Sequence, residues 1–239
     1  MKTVRSRRRA VPGSWIDYVG RNATARFPAM ISAVLMTACS TLPADTTDWR
    51  GKTLALAVYP SSELQVIGHA DYLLIGATQG TAEPGKSAGA KLQAENAIED
   101  LALRVGRSLF LAAQQEYGVV AAADIRAPRL ANPTELTHLA QGVDLVLDVT
   151  SGSTVGQRLF SSRYEVNTTM IGRVIDVHTG KAFGDTLCQI RGGGDPDFAT
   201  YDELVANDAA RLKAILAKEA DACVEKFKTD VLGIHRPAS

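Results

Sequence analysis

The sequence predicts an α/β fold: one domain on a mixed β-sheet, in the order β-α-β-α-β-β-β-α, with its helices packed on one face. Three observations carry this. Apolar stripes at helical period alternate with short apolar runs in the first half of the body. Past residue 150 the pattern changes to neighbouring strands joined by a turn, then to one long closing helix. A basic N-terminus runs into an apolar stretch of 12 residues, Phe27–Ala38, which ends at a cysteine.

That stretch has the length of a signal-peptide core and is too short to span a membrane. Residues 1–38 hold seven bases (Lys2, Arg5, Arg7, Arg8, Arg9, Arg21, Arg26) and one acid, Asp17. The basic region is long for a signal peptide, which points to a translation start near Val19, with Arg21 and Arg26 as the basic part. The body keeps 19 bases and 25 acids, a net of −6. That balance argues against nucleic-acid binding, which needs a basic face.

The apolar run closes on Leu35-Met36-Thr37-Ala38-Cys39-Ser40. These residues resemble the lipobox of bacterial lipoproteins, with Met36 where that pattern has Leu, Val or Ile. The resemblance implies cleavage before Cys39 and a diacylglycerol and palmitate anchor on that residue; no other cofactor is expected. Ser40 behind it implies sorting to the outer membrane, with the domain on the periplasmic face. The expected organisation is therefore a signal peptide at 1–38, a lipidated cysteine and tether at 39–51, and one α/β domain at 52–239. Residues 40–51, STLPADTTDWRG, are polar and turn-rich as a tether should be.

Lys52–Tyr59 reads as the first strand, stopped by Pro60. Asp71–Ala77, DYLLIGA, is an apolar patch expected to pack on the core. Residues 78–90 are rich in Gly, Ser and Thr and read as loop. Asn96 and Glu99 have capping-box spacing and predict a helix start there. Its stripe is Ile98, Leu101, Ala102, Val105, Leu109, Ala112 and Ala113, and Gly118 ends it. Val119–Ala123 reads as a buried strand. Asn132-Pro133-Thr134-Glu135 places an N-cap, a Pro at N1 and a Glu at N3, so a short helix runs to Gly142.

Val143–Thr150, VDLVLDVT, reads as the central strand. Arg163–Val177 alternates in part, with a bulge near Gly172. A turn at 177–181 returns Ala182–Arg191 antiparallel. Residues 192–196 read as loop. Thr200 and Glu203 form a second capping box before a helix to about Leu232, whose apolar stripe includes Cys223.

Beyond Cys39 the chain has only Cys188 and Cys223. In an exported domain they can pair, stapling the last helix to the returning strand. The alternative is two buried free thiols. The cysteines have no zinc spacing, and His69, His138, His178 and His235 give no metal-binding pair, so no metal site is expected.

The element order resembles the α/β domain of a group of envelope lipoproteins: the curli-secretion lipoprotein, the penicillin-binding-protein activators, and the N-terminal domain of the Tol-system β-propeller protein. The phrase RVIDVHTGKAFG, in which a strand ends in D-x-x-T-G-K and returns, carries part of that likeness. A further resemblance is to bacterial lipoproteins without an assigned activity. It rests on Asn96-Ala97-Ile98-Glu99-Asp100, the Cys188 strand, Tyr201-Asp202-Glu203-Leu204 with Asn207, and the cysteine in the last helix. These resemblances imply a place in the envelope and a fold, but no reaction. No catalytic constellation stands out in the sequence, so the chain is expected to act as a lipid-anchored binding or assembly module, without catalysis. Its partner would be an envelope protein or a cell-wall component, and assembly into an oligomer is one form this could take.

One string points elsewhere. Gly80–Ser87, GTAEPGKS, fits the phosphate-cradling pattern G-x-x-x-x-G-K-[ST]. In a nucleotide-binding protein Gly80, Gly85, Lys86 and Ser87 would hold the phosphates, and Asp148 would serve as the magnesium aspartate. Three features oppose this. Gly76–Gln79 separates the preceding apolar run from Gly80. Ala88 and Gly89 would start a helix poorly. The periplasm holds no ATP pool to supply such a site. The expected alternative is a Gly-rich surface loop.

Overall fold

A central strand that is apolar on one face and paired on both edges organises the domain. The computed structural model of the chain describes residues 49–60, 64–71, 85–129, 131–192 and 198–235. DYLLIGA beyond Asp71, Gly80, residues 193–196 and everything before Trp49 lie outside the described residues.

β1 (Thr53–Val58) is followed by a short β2 (Leu64–Ile67), then α1 (Lys86–Glu95) and α2 (Leu101–Tyr117). Two-residue strands β3 (Val120–Ala121) and β4 (Ile125–Arg126) precede α3 (Pro133–Leu139). The long strands β5 (Leu145–Gln157), β6 (Arg163–Asp176) and β7 (Ala182–Arg191) follow, then β8 (Ala199–Thr200) and α4 (Tyr201–Asp230).

The sheet is mixed, with strand order β3-β1-β5-β6-β7. β1 runs parallel to β3, β4 and β5, while β5, β6 and β7 form an antiparallel meander. The register of β6 on β7 shifts between Gly172 and Val174, at the predicted bulge. There Gly172 faces the Phe227 ring, and a Cβ would come within 3.0 Å of it.

Leu145, Leu147, Val149 and Val155 of β5 face the main core with Val166, Met170 and Val174 of β6. α2 and α4 cover that face, through Val105 and Leu109 on α2 and Leu204, Leu212, Leu216 and Phe227 on α4. Burying each of these large side chains contributes about 2 kcal/mol. The short α3 covers the other face, with Leu136 against Ala55, Val146 and Ile175.

Three local expectations change. Residues 86–90 are helix rather than loop, because α1 is held by packing rather than by propensity. A Cβ on Gly89 would sit inside the Leu64 carbonyl, so the glycine lets the helix press on the β2 backbone. Gly85, at φ 79, caps it. Second, Asn96 ends α1 instead of opening α2, and its Nδ2 donates to the Leu92 carbonyl at 3.0 Å. Asp100 is the N-cap of α2, accepting from the amides of Ala102 and Leu103. Third, Val119 is buried, but the strand after it is only Val120–Ala121 and is exposed.

Both later caps match the prediction. Asn132 with Glu135 and Thr200 with Glu203 each form a complete capping box. α4 is interrupted at Ala206–Ala209, where Asn207, Asp208 and Ala209 adopt positive φ. Asn and Asp tolerate that region better than other side chains.

Cys188 on β7 and Cys223 on α4 are disulfide-bonded, with Cα atoms 5.7 Å apart and a sequence separation of 35. Both are buried. In the loop-entropy model a closure of this length stabilises by about 3–4 kcal/mol. Replacing both cysteines by Ser is expected to lower the unfolding free energy by that amount in urea titration. Reductant should then shift the midpoint of the unsubstituted chain and leave the variant unmoved.

Candidate functional site

The same edge of β5 takes two partners. β1 pairs with it as far as Leu56 opposite Leu147, and β2 pairs from Leu64 opposite Ser153. Between these contacts, residues 149–152 of β5 border a cleft of about 190 Å³. Tyr59, Pro60 and Arg129 line one side, Asp100 and Leu103 at the start of α2 another, and Ser151 lies at the strand. The cleft sits at the C-terminal end of parallel strand β1, where open α/β sheets commonly bind ligands. The Ser151 hydroxyl is buried and has no hydrogen-bond partner among the described residues.

Beside the cleft Asp148 is 2% exposed. Its Oδ1 accepts from the Tyr59 hydroxyl at 2.6 Å, and its Oδ2 accepts from Arg173 Nε at 2.7 Å. Arg173 lies directly across from it on β6. Burial first, and then the adjacent carboxylate, push the Tyr59 phenol above its ordinary range. Tyr59 therefore stays a neutral donor. A buried pair of this kind resists loss of either member, which typically costs about 3–5 kcal/mol.

A second network ties the opposite end of the sheet. Asp144 Oδ2 accepts from the Thr53 amide and hydroxyl, both at 2.7 Å. Its Oδ1 lies 3.0 Å from His178 Nε2. His178 belongs to the D-x-x-T-G-K turn, where Asp176 accepts from the Thr179 amide at 2.8 Å and Gly180 takes φ 67. The D-x-x-T-G-K turn is thus docked onto the start of β1. The His178 contact first, then the Thr53 amide and hydroxyl, hold the Asp144 carboxyl down at about 2.

Among the sequence-predicted site residues, Cys188 and Cys223 are brought together. Cys39 and Gly80 lie outside the described residues. Gly85, Lys86 and Ser87 open α1, where Val66 donates its amide to the Gly85 carbonyl at 3.2 Å. Val66 pairs with Val155, seven residues along β5 from Asp148. At about 3.3 Å per residue this is about 23 Å, so Asp148 is not brought to Lys86 and Ser87. Each Asp148 oxygen already accepts from Tyr59 or Arg173.

Tyr59, Arg173, Asp144 and Ser151 were not singled out from sequence. One signal was available for Arg173, a charged residue in a strand that could oppose the aspartate of LVLD. Among the described residues no group of three or more His, Cys, Asp or Glu could hold a metal ion. No described helix is long and apolar enough to cross a membrane.

No family model matches the chain, and no curated protein matches it. Several solved structures show a distant similarity to the chain. The hypothetical protein CT253 of Chlamydia trachomatis is 9% identical, over 77% of this chain and 99% of that one, with TM-score 0.39. Protein XCC0632 of Xanthomonas campestris is 11% identical, over 80% and 91%, with TM-score 0.34. Lipoprotein GNA1162 of Neisseria meningitidis is 11% identical, over 73% and 99%, with TM-score 0.26. Likeness this distant says nothing of activity.

The Asp144 network gives an acid limb to stability. Its folded pKa lies below the ordinary 3.8, so its contribution is complete above that value and is lost as pH falls toward about 2. In denaturant titrations the stability gap between the unsubstituted chain and Asp144→Asn should be constant near neutrality. It should shrink through that acid window. A gap that stays constant down to the lower value would contradict the assignment.

Proposed function

We propose that the chain is an exported protein, acylated at Cys39 and held on the periplasmic face of the outer membrane. Its α/β domain works by binding an envelope protein or a cell-wall component. The observation that carries this reading is the Cys188–Cys223 bond in a chain whose N-terminal apolar run ends at LMTACS. Disulfides persist in the periplasm and are kept reduced in the cytosol.

Two surfaces suit a binding role. One is the cleft between β1 and β2, with the buried Ser151 hydroxyl at its strand wall. The other is β7, the last strand of the sheet among the described residues, whose outer edge can accept an added strand. On the face away from α2 and α4, Ile171 of β6 stands opposite Leu187 of β7, and both are exposed.

A nucleotide-binding reading keeps one observation. Gly85 has positive φ, and Lys86 and Ser87 form the first turn of α1, as a phosphate loop requires. ATP retention that is lost in Lys86→Ala would favour it.

Palmitate labelling with membrane fractionation, with Cys39→Ser as control, tests the main reading. Label in the membrane fraction that vanishes with the substitution is the expected outcome. An unlabelled chain in the cytosolic fraction would contradict it.

A further inference from the structure

The turn between β5 and β6 carries the two most exposed large apolar side chains among the described residues, Leu159 at 67% and Phe160 at 101%. Single exposed apolar residues are ordinary. Here two are adjacent at a hairpin apex, and core packing explains neither. Turn chemistry also opposes the choice. Phe160 has φ 59, a conformation in which a bulky side chain is an outlier and where Gly or Asn would be the usual residue.

The turn itself is firmly held. Arg158 donates its amide to the Arg163 carbonyl at 2.9 Å, and Ser161 donates its amide to the Arg158 carbonyl at 3.2 Å. Gln157 Nε2 donates to the Ser161 carbonyl at 2.9 Å. Two cations flank the apex. The Arg158 guanidinium lies 4.2 Å over the Phe198 ring, and Arg163 Nη1 donates to the Phe198 carbonyl at 2.9 Å. Both arginines are exposed. Glu203 at the start of α4 is near enough to feel the Arg163 charge.

We infer that this tip inserts Leu159 and Phe160 into the interfacial layer of a lipid bilayer, where Arg158 and Arg163 meet headgroup phosphates. An apolar and aromatic apex flanked by arginines is the chemistry of a membrane interface. Size favours lipid over a protein partner. The two side chains offer on the order of 300 Å², well below the about 1,000 Å² of a specific protein interface. A small insertion suffices when a lipid on the same chain already holds the domain near the bilayer. In that respect the inference rests on the proposed anchor at Cys39.

The geometry is compatible with that anchor. Trp49 enters beside the start of β1, at the end of the sheet opposite the tip. Leu145 to Gln157 of β5 spans about 40 Å. Ser40–Asp48 reaches at most about 30 Å. With both contacts on one bilayer, the hairpin is therefore inclined to the membrane.

The test places a fluorophore at the tip of the full chain, as Phe160→Trp, with Leu159→Trp as a second probe. Each variant is reconstituted into vesicles of phosphatidylethanolamine and phosphatidylglycerol. The unsubstituted chain supplies the background from its own Trp49. The expected result is blue-shifted emission that is lost to acyl-brominated lipid, with a smaller shift in phosphatidylcholine alone. Water-exposed emission from both variants, on chain that floats with the vesicles, overturns the inference and leaves the anchor standing. If Cys39 carries no lipid, the unlipidated chain is mixed with the same vesicles. A blue shift there supports insertion independently of the anchor, and its absence overturns insertion. A blue shift that grows with protein concentration and needs no vesicles also overturns it, because a second copy then covers the tip.

Discussion

The fold depends on the register of β5 against β6. Thirteen residues of β5 face a partner on β6 without a break, from Leu145 opposite Asp176 to Gln157 opposite Tyr164. A slip of one residue would carry every side chain to the wrong face. Leu147 and Val149 would turn away from α2 and α4, and Asp148 would enter the apolar core. Two polar pairs hold the register, one on each face. Asp148 bonds Arg173 on the outer face, and the Ser153 and Thr168 hydroxyls lie 3.1 Å apart on the inner one. Neither pair survives a slip, and each would leave buried polar groups unpaired. The helices, the cleft and the disulfide all sit where this pairing puts them.

Much of this was legible in the sequence, for a physical reason. β6, β7 and the two capping boxes are specified by local patterns: alternation, turn residues and a hydroxyl or amide three residues ahead of a carboxylate. The start of α1 was not legible, because two glycines that argue against a helix locally are there to let it touch β2. Asn96 misled in a related way, since its spacing to Glu99 fits a cap while its side chain closes the preceding helix. β2 was also hidden. Four residues long, it is a strand only because β5 offers it an edge.

The site was less legible than the fold. Cysteine count and helical phase placed Cys188 and Cys223 on facing elements, which the bond between them matches. Asp148 was visible only as an acid ending an apolar run. Its partners Tyr59 and Arg173 come from the end of one strand and the middle of another, and no local pattern links the three. Gly80–Ser87 shows the reverse case, a string that matches a motif while the acid proposed to complete it lies far along the sheet. On the proposed reading the two ends of the β5–β6 hairpin divide the work. The end at Trp49, which is buried in the core and so closes the tether before the expected Gly51, leads back toward the anchor. The far end presents an arginine-flanked apolar tip.

The central claim is that this disulfide-closed domain is exported with its N-terminal cysteine acylated. It is tested most directly by counting free thiols in living cells. Cells are quenched in acid, and the chain is alkylated with a mass tag before and after reduction. The account predicts no tag before reduction and two after it, because Cys188 and Cys223 are bonded and the Cys39 thiol carries lipid. A chain that takes three tags without reduction would have all of its cysteines free, and export, acylation and the disulfide would fall together.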